Sequence, residues 1–396
     1  MVFPIKGNHT ALRRQDLSKP FISLFIQNFF IFCSFSVMNV LPDHLAGLGA
    51  SKTLVGLFMN VNSLALVLLV VPLSRYADRL GRKSLMMWAY SSALSTAALS
   101  FVFADSLAAL MVLRILGVGL YCVVYTLQAS EAFGLFPREY RVSGMAVFGI
   151  SGIVSNPIGA FIGERLLEGP GARWLFVAIF GLTAVALLFA IPFRFTAAPE
   201  GERKAPLLEL MRRKELVPLF TLAFMLGGVF AVFSSFLANM TRERLGTVNI
   251  SIFFLAFSFV AVFMRIFLGS WLERLQPRYL ASACFVLLAV ALILTFRLAH
   301  AAMLIPIGLV FGTGRAVLYP LLSTLFVNTG SDADRLGLNN LYSTANTLGS
   351  IISAVAMGVV ADLFGLSVVF LVMAVLTAVM LPVGYLGLRG HSVRGL

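Results

Sequence analysis

Two arginines stand where a charge is costly. Arg114 and Arg315 each lie inside an apolar stretch of about 20 residues, the length a helix needs to cross a bilayer. A charged side chain at that depth costs at least about 2.5–3.5 kcal/mol on insertion scales, so it needs a reason. An arginine is effectively always protonated, and the chemistry open to it is to hold an anion or a row of carbonyl oxygens. A third, Arg265, lies about six residues from the end of its stretch and can snorkel to the headgroups.

Polar and aromatic residues recur around these arginines at helical spacing. Arg114, Tyr121, Tyr125 and Gln128 follow steps of seven, four and three, which places them on one helical face. At 1.5 Å per residue, Arg114 is expected on the order of 10 Å below one membrane boundary. Gly308, Gly312, Arg315 and Tyr319 form a second stripe, with Arg315 near mid-membrane. Asn28, Phe32, Phe35 and Asn39 form a third, Gly228, Val232, Ser235 and Asn239 a fourth, and Asn339, Tyr342 and Asn346 a fifth. The expected product is a cavity walled by aromatics with sparse amides and hydroxyls, a lining that suits small amphipathic organic molecules. Without a buried carboxylate to neutralise them, Arg114 and Arg315 leave such a cavity formally positive, which makes an organic anion the alternative ligand.

The carboxylates keep to the ends of the apolar stretches. Asp43 (beside His44), Glu164 and Asp362 fall at one side, Asp78 and Glu131 at the other. If protons or another counter-ion drive this protein, Asp43, Glu131 or Glu164 is expected to titrate from an end of the cavity. HExxH, nucleotide-binding loops and Ser/His/Asp arrangements do not occur in the sequence. Cys33, Cys122 and Cys284 all lie in apolar stretches and read as small buried residues, with no disulfide framework or metal site. No enzyme chemistry, metal or cofactor is expected.

The elements that must position these residues follow from composition. Of the 396 residues 59% are hydrophobic and only 12% charged, where a soluble domain carries about a quarter charged. Twelve spans are predicted at 20–42, 54–74, 84–104, 107–128, 143–165, 174–194, 217–238, 249–271, 279–298, 301–325, 338–361 and 366–388. Their short loops leave no room for a sizeable soluble domain. The amino-terminal run from Phe21 is too long for a signal core and is read as the first span. Of the 30 lysines and arginines, 21 fall in the segments on the side of the two termini, six on the other side and three within spans. That asymmetry puts both termini in the cytoplasm. It also explains the net charge of +13 without nucleic acid as a partner.

Residues 195–216 contain PEGERKAP and then LLELMRRKEL, read as a linker followed by a short amphipathic surface helix. They divide the chain into a six-helix bundle over 1–194 and another over 217–396. The halves match at one offset. Asp78-Arg79-Leu80 and Glu273-Arg274-Leu275 are 195 residues apart, as are Gly117-Val-Gly119 and Gly312-Thr-Gly314. Two independent matches at one offset indicate a duplication, an architecture common in transporters, with the ligand handled between the repeats.

Residues 74–83, SRYADRLGRK, lie between the second and third spans and resemble the signature of the major facilitator superfamily, Gly-x-x-x-Asp-Arg-x-Gly-Arg-Arg/Lys, with Ser74 in place of the first glycine. Physically, Gly81 permits a tight turn, and Arg79, Arg82 and Lys83 meet anionic headgroups. The resemblance implies an all-α membrane protein of twelve helices in two six-helix bundles, with spans one, four, seven and ten around the cavity. It further implies that Asp78, Arg79, Gly81, Arg82 and Lys83 act as a cytoplasmic lock. Asn156-Pro157-Ile-Gly159 in the fifth span partly resembles the Gly/Pro motif of the family's exporters, and Gly149, Gly152, Gly159 and Gly163 share a face around it. The function expected is secondary active transport of a small organic compound by alternating access, as an exporter. The alternative is uptake or exchange of an organic anion through the cavity arginines. The expected setting is a bacterial inner membrane, with the chain working as a monomer.

Overall fold

The computed structural model describes residues 14–65, 81–136, 141–194, 215–264, 267, 275–330 and 335–389. Asp78, Arg79, Arg265 and nearly all of the 195–216 segment lie outside the described residues. The described chain is helical, with no strand. The first span is Arg14–Val37, a 3-10 stretch Met38–Val40 and Leu41–Gly47. Pro42 explains the change of pitch: it has no N–H to give and tightens the turn before it. The third to seventh spans are Arg82–Val102, Leu107–Gly134, Arg141–Glu168, Arg173–Ala190 and Leu216–Leu245. The ninth to twelfth are Pro277–Phe296, Leu304–Asn328, Arg335–Phe364 and Leu366–Gly387. The second and eighth are described over Lys52–Ala65 and Ser251–Phe263. Ten of these segments are long and apolar enough to cross a membrane, and Ser251–Phe263 is a shorter apolar helix.

Packing repeats with a step of six spans. The first span lies against the fifth and sixth, the third against the fourth and sixth, and the second against the fourth. In the second half the seventh lies against the eleventh and twelfth, the ninth against the tenth and twelfth, and the eighth against the tenth. Across the halves the second span meets the eleventh and the fifth meets the eighth, a pair that the same step exchanges. The sequence offset is therefore a duplication of structure.

The seventh and eleventh spans show how small residues set this packing. A Cβ on Gly227 would sit 1.8 Å from the Asn346 carbonyl oxygen, and one on Gly349 would sit 1.8 Å from that of Phe224. The two backbones touch, and only glycine permits it at both positions. In the first half, Gly152, Gly159 and Gly163 of the fifth span lie against Phe32, Cys33 and Val37 of the first. The glycine face read from the sequence is a packing face between these two spans.

Arg14, which opens the first span, and Gly387, which ends the twelfth, lie on one face of the bundle, here called the terminal face. The loops 48–51, 103–106, 169–172, 246–250 and 297–303, with Gly365, form the distal face.

Candidate functional site

Arg315 sits twelve residues into the tenth span, Leu304–Asn328, about 17 Å along it at 1.5 Å per residue. Its Nη1 donates to the Leu226 carbonyl at 3.4 Å. The guanidinium carbon lies 3.9 Å over the Phe230 ring and 5.7 Å from that of Tyr319. Stacking on Phe230 fixes the plane of the guanidinium and supplies cation–π attraction. The side chain is half-buried.

The neighbouring polar groups also converge on the seventh span. Asn346 Nδ2 donates to the Ala223 carbonyl at 3.3 Å and Ser350 Oγ to that of Gly227 at 3.0 Å. The glycine crossing brings these carbonyls within reach of the eleventh span. Tyr319 is 39% exposed, and its ring meets Tyr342 edge-on at 5.2 Å. Tyr342 is buried and donates its hydroxyl to the Tyr319 carbonyl at 2.9 Å. Asn339 is exposed and accepts from Ser323.

In the first half the candidates separate. Arg114 is 5% exposed, donates to the Met38 sulfur, and lies 5.3 Å and 5.5 Å from the rings of Phe35 and Phe58. It borders a cavity of about 20 Å³, together with Thr96, Ser100 and Tyr121, a volume suited to one water molecule. Tyr121 Oη is 2.8 Å from both Ser34 Oγ and Thr183 Oγ1, a hydroxyl cluster joining the first, fourth and sixth spans. Gln128 is fully buried and donates to Tyr90 Oη at 2.9 Å and Gln27 Oε1 at 3.3 Å. Asn28 donates to Ser151 at 2.6 Å and Asn39 to Ser36 at 3.1 Å. These groups bond within their own half. Tyr125 differs: it is 42% exposed, with the Phe32 ring edge-on at 5.4 Å.

The carboxylates at the distal face bridge the halves. Arg242, at the end of the seventh span, donates to Asp43 at 3.1–3.2 Å and lies 3.7 Å from Glu168. Glu168 accepts from Val248 N at 3.0 Å, and Glu164 accepts from Ser251 N at 2.6 Å and from its hydroxyl. Asp362, at the end of the eleventh span, accepts from Lys52 N at 2.6 Å, Thr53 N at 2.9 Å and Thr53 Oγ1 at 2.6 Å. Carboxylates ending the fifth and eleventh spans thus cap the amino termini of the eighth and second, where anionic groups meet unpaired N–H donors. Thr53 and Val248 are 195 residues apart, the offset read from the sequence. Asn60 donates to Ser235 at 2.8 Å and Ser258 to the Ile153 carbonyl at 2.8 Å, adding bonds across the halves.

At the terminal face, Gly81 has φ +79°, a backbone that L side chains rarely adopt, and it turns the chain into the third span. Arg82 pairs with Glu131 at 3.4 Å, and Glu131 is 1% exposed. Lys83 donates to the Ile191 carbonyl at 2.8 Å. These two bases tie the start of the third span to the ends of the fourth and sixth. Sequence reasoning missed the partners: Phe230 beneath Arg315, Ser34 and Thr183 around Tyr121, and Arg242 opposite Asp43. Arg242 and Arg244 entered only as charge counts, because nothing local marks an arginine whose partner lies 199 residues away.

A family model described as Major Facilitator Superfamily matches residues 24–280 and 219–394. The staphylopine export protein of Staphylococcus aureus (strain Mu50 / ATCC 700699) is 20% identical over 385 residues, 93% of this chain and 96% of that protein. Among solved structures, the nucleoside transporter NupG is similar with a TM-score of 0.75 at 13% identity, covering 94% of this chain and 100% of that one. A bacterial homologue of the human lysosomal transporter Spinster, inward-facing and unoccupied, gives 0.73 at 16% identity, covering 95% and 98%. The human organic anion transporter MFSD10 gives 0.64 at 16% identity, covering 93% and 99%.

Proposed function

The chain belongs to the Major Facilitator Superfamily, and from that premise we propose that it is a secondary active exporter of a small organic compound working by alternating access. One observation carries the reading. The bonds of Asp43, Glu168, Glu164 and Asp362 across the halves all sit at the distal face, so the path between the halves is barred on that side. Tyr125 and Tyr319, one from each half, remain exposed in the fourth and tenth spans. Two bundles joined at one face and able to rock apart are what alternating access requires.

The same reading takes the terminal face as cytoplasmic, since it carries 21 of the 30 basic residues. This state is then inward-facing, with bundles 1–194 and 217–396 joined by the 195–216 linker. The membrane is taken as a bacterial inner membrane and the working unit as a monomer. Direction rests on the export-named relative and on the Asn-Pro-Ile-Gly sequence of the fifth span. Protons are the coupling ion proposed, entering through Asp43, Glu131 or Glu164.

The test is uptake of a panel of small organic compounds into inside-out proteoliposomes, with and without an imposed proton gradient. Export predicts accumulation driven by protons leaving the lumen. Accumulation only in right-side-out vesicles would reverse the direction, and no flux of any compound in either orientation would sink the transporter reading.

A further inference from the structure

We infer that Arg315 anchors an anionic group of the transported compound, a carboxylate in particular, with the compound's apolar body along Phe230 and Tyr319. The inference rests on the transporter reading above and names the substrate class for that site. A guanidinium has five N–H donors. The bond Arg315 makes, to the Leu226 carbonyl at 3.4 Å, is longer than the 2.7–3.2 Å usual for N–H···O. The rest of the fork has no acceptor among the described residues.

Among the described residues, six acids are engaged elsewhere, and Glu215 and Glu243 are exposed at the ends of the seventh span. Asp43 and Glu168 hold Arg242, Glu164 holds Ser251, Asp362 caps the second span, Glu131 pairs with Arg82 and Asp105 with Arg173. A cation left in a low-dielectric interior attracts anions strongly and repels cations.

Position separates Arg315 from the other buried arginine. Arg114 is enclosed by Met38, Phe35 and Phe58 inside the first half. Arg315 is half-buried, and Phe230 covers one flat face of its guanidinium. The edge of the fork is therefore held in a fixed plane, the arrangement that bidentate carboxylate recognition needs. On the first half, the exposed Tyr125 and its neighbour Phe32 supply an aromatic surface for the remainder of the molecule.

The test is fluorescence titration of the purified full chain with dansylglycine and dansylcadaverine, which share a fluorophore and differ in carboxylate against ammonium. The wild type is expected to prefer the anion by about tenfold or more, the factor that 1.4 kcal/mol supplies. Arg315→Gln should lose that preference while keeping its thermal unfolding midpoint, and Arg315→Lys should restore part of it, because lysine lacks the planar fork. Arg297→Ala, which removes an exposed charge beyond the ninth span, should change neither affinity. Equal or tighter binding of the cation, binding of neither probe, or full anion affinity in Arg315→Gln overturns the proposal. Spin labels across the distal face, read in the same preparations, keep the two readings apart. If that face opens and closes while no anion preference exists, the anchor falls and the transporter stands; a face that never opens counts against the transporter.

Discussion

A buried arginine and a half-buried one make opposite demands on their neighbours. Arg114 meets a thioether and two rings, and its Nε has no hydrogen-bond partner. Burying a charge with so few acceptors is expensive, and an apolar residue of similar volume often serves stability as well or better. Arg114→Met is therefore expected to leave the thermal midpoint unchanged or higher. Arg114→Ala opens a cavity and should cost about 2–5 kcal/mol, in line with large-to-small changes in cores. Thermal unfolding of both variants checks this; a large loss with methionine would mean that the guanidinium is better satisfied than its contacts indicate. Tyr121, seven residues along the fourth span from Arg114, behaves as a core hydroxyl, since Ser34 and Thr183 already satisfy it.

At the scale of elements, the distal closure is built from helix ends. Arg242 is held by Asp43 and Glu168 across the halves, and the pair with Asp43 is only partly exposed, so it is screened less than a surface pair. Removing the arginine leaves two acids facing each other with no cation between them. Arg242→Ala is expected to shift the population toward a distal-open state. Cysteines at Gly47 and Thr247, spin-labelled and read as a distance distribution, should show a longer component in the variant than in the wild type. An unchanged distribution would assign the closure to Asp362 and Glu164 alone. The glycine crossing of the seventh and eleventh spans is the rigid counterpart: even a methyl at Gly349 meets the Phe224 carbonyl, so that contact ties these two spans of the second bundle together.

Across the whole molecule, the proposed proton coupling requires groups whose surroundings differ between states. Glu164 receives Ser251 N and its hydroxyl from the opposite half in this distal-closed arrangement. Glu168, one turn further on, and Arg242 are the charged groups beside it. A proton on Glu164 removes the charge that its donors and the helix terminus favour. Glu164→Gln is expected to lose proton-driven flux, with Asp43→Asn showing a smaller loss. Glu131→Gln instead disturbs the terminal face through Arg82. Flux against pH for the three variants decides among them, and full proton-driven transport in all three would place the coupling site elsewhere.

What the sequence determined by itself is what depends on local hydropathy and on repetition. Spans, the duplication and the presence of charge at Arg114 and Arg315 follow from runs of apolar residues and from matches 195 positions apart. Such features are written in consecutive residues, because a helix in lipid satisfies its own backbone bonds. Which way a side chain points around its helix is another matter. Arg114, Tyr121 and Gln128 share one helical stripe with Tyr125, yet the first three turn into their own bundle and Tyr125 stays exposed. A single step of rotation separates packing from cavity, and the spans alongside decide it. Likewise, Asp43, Glu164 and Asp362 could be placed near the distal end from sequence alone. That they meet Arg242, Ser251 and Thr53 of the opposite half depended on the docking of the two bundles, because ion pairs and helix caps are made in space between residues with no mark of each other along the chain.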